Sequence, residues 1–248
     1  MTADLALALA LADEADAISL ARFRARDLVV ETKTDATPVT DADRAVERAL
    51  RDELARVRPD DAVLGEEEGG SAASGRRWVI DPIDGTRNYS RGIPVWATLV
   101  ALETEGEVRL GVVSAPALGR RWWAERGAGA FANGERVRVS QVVGVEQAVL
   151  SFALDGPVPP LADRAWHVRG YGDFWAHMLV AEGAVDGAVD AVGVTLWDLA
   201  ALQPIVEEAG GRFTDFDGLR RVDGGSALSS NGHLHDELLA ALAPTHES

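Results

Sequence analysis

The chain has no cysteine. Disulfides, a thiolate nucleophile and zinc–thiolate sites are therefore excluded, and a cytoplasmic location is compatible with the lack. Basic residues are also scarce, with 24 Lys and Arg against 40 Asp and Glu and a formal net charge of −16. A nucleic-acid backbone would be repelled, so nucleic acid is not an expected partner. Most of the acid must be solvated surface, so the charge points only weakly to cation binding. No long apolar run exists. Leu5–Ala12 resembles the core of a signal peptide, but no basic residue precedes it and Asp4, Asp13 and Glu14 flank it. It is too short to cross a bilayer, so it reads as part of an N-terminal, mostly buried helix, and no membrane partner is expected. The five histidines show no metal-ligand spacing. His233 and His235 are expected at the surface or as caps. Internal repeats and long linkers are absent too. What remains is a chain of 248 residues, 47% hydrophobic, long enough for a sizeable core in one domain or two fused halves.

The most informative segment is Asp81-Pro82-Ile83-Asp84-Gly85-Thr86, after the apolar Trp78-Val79-Ile80. Two carboxylates three residues apart, at the end of a strand and on a turn shaped by proline and glycine, supply fixed oxygen ligands for a hard cation such as Mg²⁺. If a helix starts here, the N–H groups of Gly85, Thr86 and Arg87 are placed to receive a phosphate. Asp84-Gly85 alone would be an ordinary turn. Three further segments change that balance. Gly65-Glu66-Glu67-Glu68-Gly69-Gly70 follows the short apolar stretch Ala62-Val63-Leu64. It would otherwise be a solvated acidic loop, but parallel strands ending side by side would bring Glu66 near Asp81. Trp197-Asp198-Leu199-Ala200-Ala201 opens a helical pattern ending at Gly210-Gly211, where Asp198 would otherwise be a plain N-cap. The polar segment from Lys33 to Asp43 runs into a helix that Thr40 or Asp41 would cap.

The hydrophobic pattern predicts helices over 3–26 and 41–57, strands at 62–65 and 77–81, and a hairpin of 95–103 and 107–115 turning at Glu105-Gly106. It predicts strands at 121–125 and 129–132, with a tight Asn133-Gly134 turn into 136–139. After about residue 146 strands (148–153, 165–169, 185–190, 226–230) alternate with helices (173–182, 198–209, 233–242). Pro204 falls inside 198–209, so a kink or broken turn is expected there.

Taken together, the four segments resemble the inositol monophosphatase family of Mg²⁺-dependent, lithium-sensitive phosphomonoesterases. The likeness runs from about Leu5 to about Leu242. Asp81–Thr86 continuing to Asn88-Tyr89 resembles the family's first signature, and Trp197–Ala201 with Glu208-Ala209-Gly210-Gly211 its second. Trp96-Ala97, Arg120–Ala124, Gly127–Phe131, Tyr171–Phe174 and Leu179–Asp186 are similar to the bacterial branch that acts on histidinol phosphate.

This resemblance implies an α+β layered fold, the αβαβα sandwich of the inositol monophosphatase and fructose-1,6-bisphosphatase type. It implies one catalytic domain over 1–248, with most metal ligands in 1–146 and Asp198 and the substrate-selecting segment in 147–248. It implies two or three Mg²⁺ ions. Glu66, Asp81 and the Ile83 carbonyl would hold one; Asp81, Asp84 and Asp198 would hold another; a third would sit near Glu66. Thr86, its hydroxyl fixed by Asp43, would hold the attacking water. Gly85 and Thr86 N–H groups would bind phosphate, and Lys33 would seat the 33–43 loop. The family's inositol phosphatases carry a glutamate seven residues before the second-signature aspartate, and that count reaches Ala191 here. Asp173 would meet the substrate ammonium or else cap the following helix, with Arg169 and Asp190 as lesser candidates and Arg169 also a structural partner for Asp173. The expected activity is hydrolysis of a small phosphate monoester, L-histidinol phosphate in histidine biosynthesis before inositol 1-phosphate or a sugar phosphate. The alternative of another class is a non-catalytic binding protein on the same fold. A homodimer is implied by the family.

Overall fold

The computed structural model describes residues 1–34, 36–70 and 75–242. Asp35, within the expected 33–43 loop, lies outside the described residues. Helix α1 (Ala3–Arg22) is started by Thr2, whose hydroxyl accepts from the Leu5 N–H. It ends four residues short of the expected 26, because Phe23 turns extended and Arg24 takes φ +61°. Phe23 leaves the helix to pack on Tyr89 and Trp96, with ring centroids 5.3 Å away in both pairs. Only one face of α1 is buried, through Leu5, Ala8, Leu11, Ala12, Ala15 and Ser19.

Strands β1 (Val30–Thr32) and β2 (Pro38–Thr40) pair antiparallel where the sequence suggested only a loop. They lead into α2 (Asp41–Val57). Next come β3 (Ala62–Gly65), β4 (Arg76–Asp84), the short α3 (Thr86–Ser90), β5 (Ala97–Thr104) and β6 (Glu107–Ala115). The first sheet closes with β7 (Arg120–Glu125), β8 (Gly129–Ala132) and β9 (Glu135–Arg136). These strands form one sheet in the order β3-β4-β5-β6-β7-β8-β9. Glu105 and Gly106 (φ +55° and +80°), like Asn133 and Gly134 (φ +49° and +90°), make the left-handed two-residue turns that the sequence predicts.

The second half adds β10 (Val149–Ala153), β11 (His167–Arg169), α4 (Asp173–Ala181) and β12 (Gly187–Asp190). It continues with α5 (Leu196–Leu199), α6 (Leu202–Glu208), β13 (Arg212–Thr214), β14 (Ala227–Ser230) and α7 (His235–Leu242). Its sheet runs β11-β10-β12-β14-β13. The expected helix 198–209 is two helices that break at Ala200–Ala201. Pro204 is the cause, since its ring would strike the carbonyl four residues back, that of Ala200. Within α6 it occupies the first turn, where no intrahelical N–H bond is lost.

The layers follow from which faces are apolar. α1 and α2 cover the outer face of the larger sheet through Leu11, Leu50, Leu54, Trp78, Ile80 and Val100. α4 and α6 fill the space between the two sheets around Phe174, Leu202, Ile205 and Phe213. α7 packs on the far face of the second sheet, with Leu238 against Leu150 and Val189. The result is the five-layer αβαβα sandwich. His235, expected at the surface or as a cap, is instead fully buried between the Thr214 and Ser230 hydroxyls at 2.9 Å each. Burial lowers its pKa to about 4. No helix among the described residues is long and apolar enough to cross a membrane.

Gly111 on β6 shows how tightly the middle layer is seated. A Cβ there would lie 2.1 Å from the Ala201 carbonyl oxygen, a backbone atom that cannot rotate aside. Gly111→Ala is therefore expected to destabilise the fold by about 1–3 kcal/mol or more. A thermal melt should show a midpoint several degrees lower, and an unchanged midpoint would contradict this packing.

Candidate active site

The site forms where the two halves meet. β3 and β4 are parallel with Gly65 opposite Ile80, so the residues that follow, Glu66 and Asp81, lie side by side. β4 does not end at Asp81 as its sequence suggests. It continues to Asp84, with Asp81 opposite Leu99 and Asp84 opposite Ala97 on β5. Three steps on one strand against two on its partner is a bulge at Pro82-Ile83. On a regular strand, residues three apart point to opposite faces; the extra bulge residue turns both carboxylates to the same side. The Thr98 hydroxyl, donating to the Pro82 carbonyl at 2.8 Å, holds that bulge.

Asp43 and Asp198 each serve a capping box and the site at once. Asp198 Oδ2 accepts from the Thr195 N–H (2.5 Å) and hydroxyl (2.8 Å). Asp43 Oδ2 accepts from the Thr40 N–H (2.8 Å), while Oδ1 accepts from the Thr86 hydroxyl (3.1 Å). Capping and a second role are thus compatible, because a carboxylate has two oxygens. The Thr86 hydroxyl also reaches the Ile83 carbonyl at 2.8 Å.

One ligand atom from each of Asp81, Asp84 and Asp198 lies within 4.8 Å of the others. Asp81 and Asp84 are buried, and burial together with the neighbouring carboxylates pushes both far above the usual carboxylate range. Asp198 is raised by burial and by the nearby Asp173 carboxylate. Asp81 Oδ1 is buried with no partner among the described residues. Such an orphaned oxygen in a repelling acidic triad fits a hard divalent cation. Glu66 lies close enough to raise Asp81 further, but its Oε1 accepts from Lys33 Nζ at 2.7 Å, and Glu67 takes a second bond at 2.6 Å. Burial works against the Lys33 charge, yet the two carboxylates outweigh it and hold the ammonium protonated.

Sequence reasoning missed Glu47. It is fully buried on α2 and accepts from the Glu67 (2.7 Å) and Glu68 (3.0 Å) N–H groups, which shapes the loop bearing Glu66. Gly65 leaves the room, since a Cβ there would overlap the Glu47 carboxylate. The available signal was phase: Glu47 falls on the apolar face with Val46, Leu50 and Leu54.

From Asp84 and Asp198 a cavity of about 220 Å³ extends to Asp173, Asp190 and His177, with Arg87 at its side. Asp173 does not cap α4. Gly172 is the N-cap, without a side-chain bond, and Asp173 is the first helical residue at φ +55°. A carboxylate from elsewhere caps the helix: Asp84 Oδ2 accepts from the Phe174 N–H at 2.6 Å. Asp173 is thereby left in a conformation that costs an L-residue about 1–2 kcal/mol. Burial raises Asp173 and pushes Asp190 up to about 7. Arg169 neither lines the cavity nor pairs with Asp173. It is exposed at the end of β11 and donates to the Val168 carbonyl at 3.1 Å. The cation acting on Asp173 is Arg87. The count from Asp198 reaches Ala191, but the cavity carboxylate is its neighbour Asp190, the last residue of β12.

A layered αβαβα fold with an acidic triad beside a fixed threonine defines a metal-site hydrolase. The inositol monophosphatase family profile matches residues 2–248. A histidinol-phosphatase of Mycobacterium tuberculosis is 55% identical over 96% of this chain and 97% of its own. One from Streptomyces coelicolor is 50% identical over 96% of both. Among solved structures, a Thermotoga maritima IMPase superposes with a TM-score of 0.87 at 35% identity, covering 97% of each chain. The chain belongs to the inositol monophosphatase family and is a phosphoric monoester hydrolase.

Proposed function

We propose that the chain hydrolyses L-histidinol phosphate to L-histidinol and phosphate, in histidine biosynthesis, with Mg²⁺. The observation that carries the chemistry is the triad of Asp81, Asp84 and Asp198 beside the Thr86–Asp43 pair. The acidic cavity and the histidinol-phosphatase relatives support the substrate. Asp81, Asp84, Asp198, Glu66 and the Ile83 carbonyl would hold two or three ions. When bound, these would lower the pKa of a water, polarise the phosphoryl oxygens and stabilise the leaving alkoxide.

The chain's own groups do the rest. Asp43 fixes the Thr86 hydroxyl, and Thr86 orients the attacking water for direct in-line transfer. The Gly85 and Thr86 N–H groups bind phosphate, and Asp173 meets the substrate ammonium. Only Oε1 of Glu66 is taken by Lys33, so its second carboxylate oxygen would be left for an ion. A homodimer in the cytoplasm completes the reading, checked by size-exclusion chromatography.

Thr86→Ala should lower kcat by about 10²-fold or more with the fold intact, measured as phosphate release at saturating Mg²⁺. The substrate is tested by comparing kcat/KM on L-histidinol phosphate and inositol 1-phosphate, with and without Mg²⁺. Much faster hydrolysis of the inositol ester would overturn the histidinol assignment.

A further inference from the structure

Glu47 is an acid on α2 with no exposed surface, and the chemistry above gives it no part. Both its oxygens are engaged by the turn that carries Glu66. Oε2 accepts from the Glu67 N–H at 2.7 Å, and Oε1 from the Glu68 N–H at 3.0 Å and from Arg51 Nε at 2.8 Å. Arg51 donates in turn to the Gly69 carbonyl, which also accepts from the Gly65 N–H at 3.0 Å. One ion pair on α2 therefore grips the turn at 67, 68 and 69, and Gly65 closes it. Only glycine leaves room at 65, since a Cβ there would lie 2.2 Å from Glu47 Oε1.

The gripped turn leads to the metal site by two routes. Gly65 is opposite Ile80 on the neighbouring strand, which puts Glu66 beside Asp81. Glu67 Oε1 shares the Lys33 ammonium with Glu66 Oε1, at 2.6 Å and 2.7 Å. After burial, Glu66 is the strongest influence raising Asp81. As a source of stability Glu47 is a poor choice. It places another negative charge next to a turn of three glutamates and disfavours the charge on Glu67. A buried ion pair of this kind contributes position more than stability.

We propose that Glu47 is a positioning residue for the metal site: by holding the 66–69 turn on α2 it fixes Glu66 beside Asp81, and so sets the affinity for the ion these two share. The ion held through Asp84 and Asp198 keeps its ligands. This role deepens the metal-dependent reading and rests on it.

The test is calorimetric titration of the metal-free chain with Mn²⁺, with Glu66→Ala marking which ion depends on Glu66. Glu47→Leu strips the Glu67 and Glu68 N–H groups of their acceptor. It should weaken that same ion about tenfold and leave the other within about twofold. Glu47→Gln keeps one acceptor oxygen and should lose less. Gly65→Ala, whose Cβ would displace the Glu47 carboxylate, should repeat the Glu47→Leu pattern and serves if that variant does not fold. Turnover should follow: Glu47→Leu should need about tenfold more Mg²⁺ for half-maximal rate, yet approach the wild-type kcat at saturation. Equal weakening of both ions, an unchanged titration, or kcat lost with no change in Mg²⁺ demand overturns the role and leaves Glu47 a structural residue. If the wild type takes up no Mn²⁺, or Glu66→Ala changes neither ion, the metal assignment fails by itself and takes this role with it.

Discussion

Asp84→Asn should remove nearly all phosphatase activity while the fold stands. Asp84 lies in the triad and faces the substrate cavity. Loss of a ligand charge there removes several kcal/mol of stabilisation at the reacting phosphoryl group, or about 10³-fold in kcat/KM. The amide oxygen still accepts from the Phe174 N–H, so the start of α4 keeps its partner. The surrounding carboxylates Asp173, Asp198 and Asp190 all disfavour the Asp84 charge. The metal-free variant should therefore melt no lower than the metal-free wild type, and even higher. Steady-state kinetics and a melt in chelator check both parts. Retained activity would remove Asp84 from the metal site.

Metal removal has the second large effect, and its sign depends on pH. Asp81, Asp84 and Asp198 all titrate above the ordinary carboxylate value in the folded chain, chiefly through burial and mutual repulsion. The folded state thus binds more protons than the unfolded one, and stability falls as pH rises through these raised values. Asp43, at about 6, and Asp190, at about 7, act in the same direction and window. Paired surface acids such as Glu31 and Asp223 are lowered and act the other way, but at more acidic pH. The buried His177 and His235, lowered to about 4, oppose the acids up to about pH 6.5, so in chelator the thermal midpoint should drop between about pH 6.5 and pH 8. Saturating divalent cation should reverse this, because ion binding needs the ionised acids. At one hundred times Kd an ion adds about 2.7 kcal/mol, or about 5–10 °C for a chain of this size. A chelated midpoint that is flat or rises across this range would contradict a repelling acidic cluster.

The fold was legible where a local signal had no rival. The hairpin at Glu105-Gly106, the Asn133-Gly134 turn and the α2 start at Thr40 follow from residues whose backbone preferences agree with their tertiary setting. α1 was overread, because the sequence does not show that Phe23 packs on Tyr89 and Trp96. β1 and β2 were missed because short edge strands carry little periodicity. Arg169 is a lesser candidate on the sequence, but at the end of β11 it is exposed and donates to the Val168 carbonyl.

The sequence by itself determined which residues carry charge and which turns expose them: two acid-bearing strand ends, a threonine after a glycine, and an aspartate at a helix start. Those are properties of short stretches, set by residue chemistry and local backbone preference. Only the tertiary structure decided how they combine. The bulge at Pro82-Ile83 turns Asp81 and Asp84 to one side, Lys33 and Glu47 hold the Glu66 loop, and Asp173 gives up its capping role to Asp84. Each depends on a partner distant in the chain, which only the packed tertiary structure brings into contact.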